Sequence, residues 1–394
     1  MIRLGVVGYG GRAHGLIVNE FRAQAPDLRV VGVVDTAPEA VRTRLADCDR
    51  DAPFFESVDE LVRSARPDAL IIGTRCNTHT PYAIQAAAYD LPLFLEKPVA
   101  IDMDQALALE QAFEKARCPV VVSFPLRVSP LCELMRTMIA KGEIGDPVHI
   151  LAANYVPYGT VYWEEPYRDF SITQGLFLQK ATHDLDYMMY LMGSRITRVT
   201  AMATYGKVFG GDRPAGLRCS ACPDSDTCLE SPANRRRHLT SGVYGDHNCV
   251  FSVDCGSAAT GRNEDGSSAL VEFESGAHGA YTQVFFTRRD AATRGATVSG
   301  YLGTAGFDWY TNQARLVRHH APFSATEAMA SGAGHFGGDT ELTHDFLDLI
   351  AGKAKTSRTP IETGLTSVYT CLAAKASAEA RGVPVDVRRV GAVS

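Results

Sequence analysis

Three sets of residues in this 394-residue chain have types and spacings that could do chemistry. The first is Glu96-Lys97-Pro98, which closes the apolar run Leu93 to Leu95. Proline cannot donate to a sheet ladder, so the strand must stop there. Lys97 is thereby placed at the strand's carboxyl end, where burial weakens its preference for charge and suits it to acid or base work. The second is Gly8-Tyr9-Gly10-Gly11-Arg12-Ala13, a G-x-G-x-x-A directly after the strand pattern Ile2 to Val7. Such glycines allow a tight turn and close approach of backbone to a pyrophosphate, which then rests on the amino end of the next helix. The third is Cys219, Cys222 and Cys228, spaced C-x2-C-x5-C, with Cys249 and Cys255 further along. Three thiolates so close, with a fourth later, suit a closed tetrahedral zinc site of structural kind, Cys249, Cys255 or His247 completing it.

The elements that position these residues alternate in the first half. After the glycine turn comes a helix pattern, Ala13 to Ala23, then a strand, Leu28 to Val34, ending in Asp35. That acid lies at the distance expected of one that hydrogen-bonds an adenosine ribose. Thr36-Ala37-Pro38 follow it, not arginine, and a carboxylate would repel a 2′-phosphate. NAD is therefore favoured over NADP, with Arg42 and Arg44 the residues that would argue otherwise. Ala40 to Cys48 and Ser57 to Ala65 read as helices, and Asp68 to Gly73 as a strand buried on both faces. Its polar turn, Thr74-Arg75-Cys76-Asn77-Thr78-His79, falls on the same sheet edge as Lys97. Pro81 to Tyr89 and Asp102 to Ala116 are helical, and Pro119 to Phe124 is a strand. Gly8, Gly10, Gly11, Arg12, Ala13, Asp35, Thr74, Arg75, Asn77, His79, Glu96 and Lys97 are the cofactor-binding candidates. Cys76 reads as an inert turn residue.

The second half changes character. Ser129 to Lys141 is a helix closed by Gly142, Val148 to Tyr155 an alternating strand, and Pro157 to Ser171 a loop rich in aromatic and charged residues. Gly175 to Leu191 scans as a helix with Lys180, His183 and Asp184 on one face at i, i+3 and i+4. Strands are expected over Ala269 to Ser275, Ala277 to Phe286, Ala296 to Leu302, Gly306 to Tyr310 and Gln313 to His319, forming one sequential, meander-like antiparallel sheet. Thr340 to Ala351 and Thr363 to Arg381 read as closing helices. The expected fold is an α/β, doubly wound parallel sheet over 1–125. An α+β domain with a large, mostly antiparallel open sheet follows over 126–394, carrying a cysteine-rich insertion at about 206–256.

Hydrophobic residues make up 45% and charged residues 21%, at a net charge of −6, which is ordinary for a globular chain and offers no basic tract for nucleic acid or an anionic membrane. Arg235-Arg236-Arg237 is read as a solvated loop. No apolar run reaches a membrane span of roughly 20 residues. The amino terminus enters a strand directly, and ten cysteines in a chain of this size argue against a disulfide scaffold, so a reducing, cytoplasmic setting is expected.

These residues together resemble the Gfo/Idh/MocA oxidoreductases, named for glucose–fructose oxidoreductase and inositol dehydrogenase. The resemblance covers nearly the whole chain and rests on Gly8 to Ala13, Asp35, the Thr74 to His79 turn, Glu96-Lys97-Pro98 and the His183/Asp186 helix. It implies a Rossmann domain, bound NAD(P), and a second domain whose open sheet often forms the interface of a homodimer or homotetramer. It also implies substrates that are sugars, cyclitols or their derivatives. Lys97 and His183 would be the catalytic residues, in an enzyme that takes hydride from a secondary alcohol. Tyr155, Tyr158, Trp163, Arg168 and His335 are candidates to line a sugar pocket, which needs aromatic faces and several hydrogen bonds. Two other activities are compatible with the family: NAD-assisted cleavage of a glycoside by transient oxidation, and non-catalytic NAD sensing.

One position departs from the family. Many members carry aspartate four residues before the histidine, and here that residue is Gln179, beside Lys180. The histidine–aspartate dyad is then absent or rebuilt with Asp184. The chain is similar to a subgroup with lysine at this place and a cysteine-rich insertion. That likeness implies that Lys180 joins the catalytic set or binds a substrate hydroxyl or carboxylate, and it selects Cys249 as the fourth metal ligand.

Overall fold

Apolar runs without alternation build the first of two sheets. A computed structural model of the chain describes residues 1–164, 167–238, 242–256, 262–329 and 334–392. The loop expected at 157–171 and the insertion expected at 206–256 thus include positions outside the described residues. The chain divides into two compact units. Unit 1 comprises Met1–Pro130, Ser331–Tyr369 and Arg389–Ser394; unit 2 comprises Leu131–Ala330 and Thr370–Arg388.

The sheet of unit 1 contains β1 (Arg3–Val7), β2 (Arg29–Val34), β3 (Phe54–Phe55), β4 (Ala69–Ile72), β5 (Leu93–Leu95) and β6 (Val120–Val122). All neighbours are parallel, in the order β3-β2-β1-β4-β5-β6. β4, β5 and β6 are buried at every position, which is why they read as unbroken apolar runs. The order reverses between β1 and β4. At such a switch point the carboxyl ends of the strands leave a crevice for a ligand.

Local chemistry sets the helices. Ser57 accepts from Glu60 N at 3.1 Å and starts Val58–Ala65; Asp102 accepts from Gln105 N at 2.8 Å and starts Met103–Phe113. The helix expected over Ala13 to Ala23 is present, but its middle, Leu16–Phe21, is π-helical. That expected over Ala40 to Cys48 is only Pro38–Arg42, with a separate 3₁₀ turn at Asp47–Asp49.

Where the sequence reading gave all of 126–394 to one domain, the chain returns to unit 1 late. Helix Gly338–Ile350 buries Leu342, Phe346 and Leu349 in the core of the first sheet. Phe346 packs on Phe21 and Phe94 with ring centroids 5.4 and 5.5 Å apart.

Unit 2 is built on β7 (Pro147–Tyr155), β8 (Ile196–Thr204), β9 (Gly266–Phe273), β10 (His278–Val284), β11 (Thr293–Gly300), β12 (Gly303–Asp308), β13 (Gln313–Arg318), β14 (Ser324–Ala328) and β15 (Val385–Asp386). Their order is β14-β13-β12-β11-β7-β10-β9-β8-β15. The sheet is mostly antiparallel as expected, but it is not a sequential meander. β7 lies between β11 and β10, antiparallel to the first and parallel to the second. Gly279 and Gly295 line the neighbouring strands so closely that an added Cβ would stand 2.5 Å from Ile150 and 2.0 Å from Phe307 O. Helix Thr182–Met192 is buried along nearly its whole length. No helix among the described residues is long and apolar enough to cross a membrane.

Candidate active site

The glycine turn of unit 1 is shaped by contact on one side and open on the other. Gly8 has φ +81°, and a Cβ there would lie 2.6–2.7 Å from Thr74. Only glycine meets both conditions. A Cβ at Gly11 would meet nothing within 4 Å, and one at Gly10 only Gly73 O at 3.7 Å. Backbone is therefore bare where a pyrophosphate would approach the helix start. Asp35, half-buried beyond β2, accepts from Tyr9 N at 2.8 Å and Ala37 N at 2.9 Å. These bonds aim the carboxylate, and each oxygen keeps acceptor capacity for a ribose diol. The residues present thus fit a dinucleotide.

Glu96, at the end of β5, is buried and accepts from Arg12 Nε at 2.9 Å and Ser123 Oγ at 2.9 Å. Burial alone would raise its carboxyl, but the charges of Arg12 and Lys97 hold it below the usual range. Arg12 also grips Asp339, at 2.6 and 2.8 Å. Its guanidinium is thus spent on two carboxylates. Lys97 follows Glu96 and is half-buried, and the Lys97–Pro98 peptide is cis. His79 is buried with its ring nitrogens on Pro98 O at 2.8 Å and Thr74 O at 3.1 Å, so it ties the two turns together. Burial pushes its pKa down. Thr74 and Asn77 are half-buried on the same edge and Arg75 is exposed.

The site-bearing helix of unit 2 begins with a π turn, Phe177–Ala181, that runs into Thr182–Met192. π turns recur at functional sites, because the widened turn redirects side chains. Lys180 lies in that turn, 6% exposed, and donates to Tyr158 Oη at 2.8 Å. Asp184, fully buried, accepts from Arg294 Nε at 2.9 Å and Nη2 at 3.1 Å, from Asn154 Nδ2 at 2.8 Å and from Tyr281 Oη at 2.9 Å. Its carboxylate is committed to this network and is not placed as a free substitute for the missing dyad aspartate. His183 and Gln179 are buried on the same helix. Burial lowers the pKa of Lys180, against the pull of Tyr158.

Other expected residues are placed differently. Tyr155 ends β7, half-buried. Arg168 reaches Ser252 at 3.3 Å and Asp254 at 2.9 Å and so braces the insertion. Trp163 is 2% exposed and stacks on Phe209 at 4.2 Å as core, not as a pocket wall. His335 belongs to unit 1, with Nδ1 2.9 Å from Asp339.

The structure does not show the zinc centre expected from Cys219, Cys222, Cys228 and Cys249. Among the described residues no group of three or more cysteine, histidine or acidic side chains is arranged to hold a metal ion. The ring nitrogens of His247 lie on Asn248 O at 2.8 Å and Glu230 O at 3.2 Å, with Cys219 Sγ 3.6 Å from Nε2. Cys255 donates to Trp163 O at 3.3 Å. Phe209 and Val250 of the insertion pack into a core shared with Trp163 and Phe285 of the rest of unit 2. The insertion is also pinned by the buried Arg235, paired with Glu164 at 2.6 Å and Glu230 at 2.9 Å. Arg235 is therefore no solvated loop residue.

The amino-terminal description of the Gfo/Idh/MocA oxidoreductases, an NAD-binding Rossmann fold, matches residues 2–124, and the description of their carboxyl-terminal domain matches residues 132–305. The chain belongs to the Gfo/Idh/MocA family. It is 23% identical over 387 residues to the Bacillus subtilis protein YteT, covering 86% of this chain and 87% of that one. It is 28% identical over 207 residues to the scyllo-inositol 2-dehydrogenase (NAD(+)) of Bacillus subtilis, covering 50% of this chain and 58% of that enzyme. A solved levoglucosan dehydrogenase, in complex with NADH and levoglucosan, superposes with TM-score 0.73 at 18% identity, covering 98% of this chain and all of that one. At that identity the likeness is one of fold. Family membership makes the chain an NAD-dependent oxidoreductase.

In this Gfo/Idh/MocA member, sequence reasoning missed Arg294 and Asp339. Each left a signal: Arg294 is a charge at an inward position of alternating β11, and Asp339 an acid in the first turn of an otherwise apolar-faced helix.

Proposed function

We propose that this protein is a dehydrogenase that takes hydride from a secondary carbinol carbon of a sugar, glycoside or cyclitol. The observation that carries the reading is the link from Arg12 of the glycine turn to Glu96. It joins the phosphate-binding loop to the residue preceding Lys97 within unit 1. When bound, NAD supplies the hydride acceptor. Lys97 and His183 are the candidate catalytic residues of this reading, which requires a base for the hydroxyl proton. Inositol and levoglucosan dehydrogenases among the similar proteins support the substrate class.

NADH formation across a panel of sugars, glycosides and cyclitols tests this. One polyol that gives lasting NADH supports it. Released aglycone without lasting NADH would replace it with the transient-oxidation activity, and NAD binding with no turnover would replace it with a sensor.

We also propose a homodimer or homotetramer formed through the sheet of unit 2. Leu270, Ala280 and Leu151 lie side by side across β9, β10 and β7, and Leu151 and Leu270 are 51% and 61% exposed. The ten free thiols suit the reducing, cytoplasmic setting of this reading.

A further inference from the structure

With Gln179 in the place of the family aspartate, no carboxylate precedes His183 at the position that would steady a protonated imidazole. Another polar pair stands on the same helix. Lys180 Nζ donates to Tyr158 Oη at 2.8 Å and also lies 5.0 Å from the centre of its ring. The lysine is almost fully buried, whereas Tyr158 is half-buried.

Tyr158 is rigidly placed. It follows β7, whose end is tied by Val156 N to Val284 O at 2.8 Å. Its neighbour Gly159 passes so close to Phe285 that an added Cβ would lie 1.9 Å from the carbonyl oxygen. A group held this way needs little reorganisation when charge develops on it.

The charges around it favour an anion. Lys180 and Asp184 face it from the helix and Arg294 from β11, with Tyr162 and Tyr310 as neutral neighbours and Asp308 beyond, near Tyr310. Asp184 is committed to Arg294 through two hydrogen bonds. Lys180 is then the cation whose partner is the phenol itself.

We propose that Tyr158 is the proton acceptor for the substrate hydroxyl, with Lys180 the positioning residue that holds its oxygen. This rests on the dehydrogenase reading above and names the base that reading requires. In the oxidation, the hydroxyl O–H bond breaks and its proton goes to the Tyr158 oxygen. The C–H electron pair leaves as hydride to the nicotinamide, the C=O bond forms, and the phenol later returns its proton to solvent. Burial works against a Tyr158 phenolate, but Lys180 and Arg294 outweigh it and bring the phenol below its ordinary range.

Tyr158→Phe and Lys180→Met test this on the full-length protein. With an active substrate in hand, Tyr158→Phe lowers kcat roughly 10²–10⁴-fold, the usual weight of a general base, with little change in KM. Lys180→Met moves the rising limb of the kcat–pH profile to higher pH, since the phenolate becomes harder to form, and Lys180→Arg restores part of the shift. A readout without turnover accompanies these: near-ultraviolet phenolate titration of the protein, taken as wild type minus Tyr158→Phe. It shows one tyrosine ionising below the rest, and Lys180→Met moves it up. Wild-type turnover preserved in Tyr158→Phe overturns the proposal while leaving the dehydrogenase reading intact. A wild type that forms no NADH with any polyol overturns that reading instead, and the proton-acceptor role with it.

Discussion

Arg12 and Asp339, 327 positions apart, are joined by two parallel bonds, Nη1 to Oδ2 at 2.8 Å and Nη2 to Oδ1 at 2.6 Å. The Arg12 side chain is 31% exposed, but Asp339 and Glu96, which it also holds, are 3% and 9% exposed. Removing the guanidinium leaves two buried carboxylates without their cation.

Arg12→Met is expected to destabilise the protein by about 3–5 kcal/mol, the range for breaking a buried pair. The cost falls at the low end if Ser123 and Lys97 retain Glu96. Urea midpoints at fixed m-value measure it, and an unchanged midpoint would show that the clamp is dispensable.

The same clamp sets an acid dependence. Asp339 and Glu96 are both held below the ordinary carboxylate range; burial opposes this, but hydrogen bonds and the charge of Arg12 prevail. A carboxyl depressed in the folded state contributes stability that is complete above its unfolded pKa of about 4 and is lost as pH falls through the folded value. Melting temperature should therefore drop below pH ~4 in the wild type, and drop less steeply in Arg12→Met.

Asp184→Asn strands the buried Arg294, which pairs with Asp184 through Nε and Nη2. A loss of about 3–5 kcal/mol is expected. Adding Arg294→Met to it should recover part of that loss, because the unpaired charge is gone. A double-mutant cycle with additive losses would mean that the pair is not coupled.

The glycine turn separates folding from cofactor binding. Gly8→Ala forces φ +81° on a side chain and collides with Thr74, so it should lower both stability and NAD affinity. Gly11→Ala meets no protein atom within 4 Å, so its melting temperature should stay unchanged while NAD affinity falls about tenfold, ~1.4 kcal/mol. Calorimetric NAD titration of both variants checks this; full affinity in Gly11→Ala would place the pyrophosphate elsewhere.

Asp35→Ser removes the carboxylate that a 2′-phosphate would face. NAD affinity is expected to fall about tenfold and the preference for NAD over NADP to narrow. Comparing the two dissociation constants in wild type and variant decides it; an unaltered ratio would remove Asp35 from the ribose site.

The doubly wound sheet and the family were determined by the sequence alone. Strands buried on both faces appear as apolar runs, and the turns at Gly8, Asp35, Thr74 and Glu96 interrupt them at the carboxyl ends. These are local signals, carried by residues near one another in the chain. The tertiary structure alone decided which distant groups meet. An alternating strand such as β7 accepts any neighbour of matching face, so its place between β11 and β10 was not readable from its own residues. Lys180, His183 and Asp184 were legible as a set, but Asp184 is spent on Arg294, 110 residues away, while Lys180 meets Tyr158 from the preceding loop. The cysteine spacing suggested a metal, while the aromatic packing and the buried Arg235 that hold the insertion are visible only in the structure. A buried charge takes its role from the partner that neutralises it, and for Arg294, Arg12 and Arg235 folding brings in that partner from elsewhere in the chain.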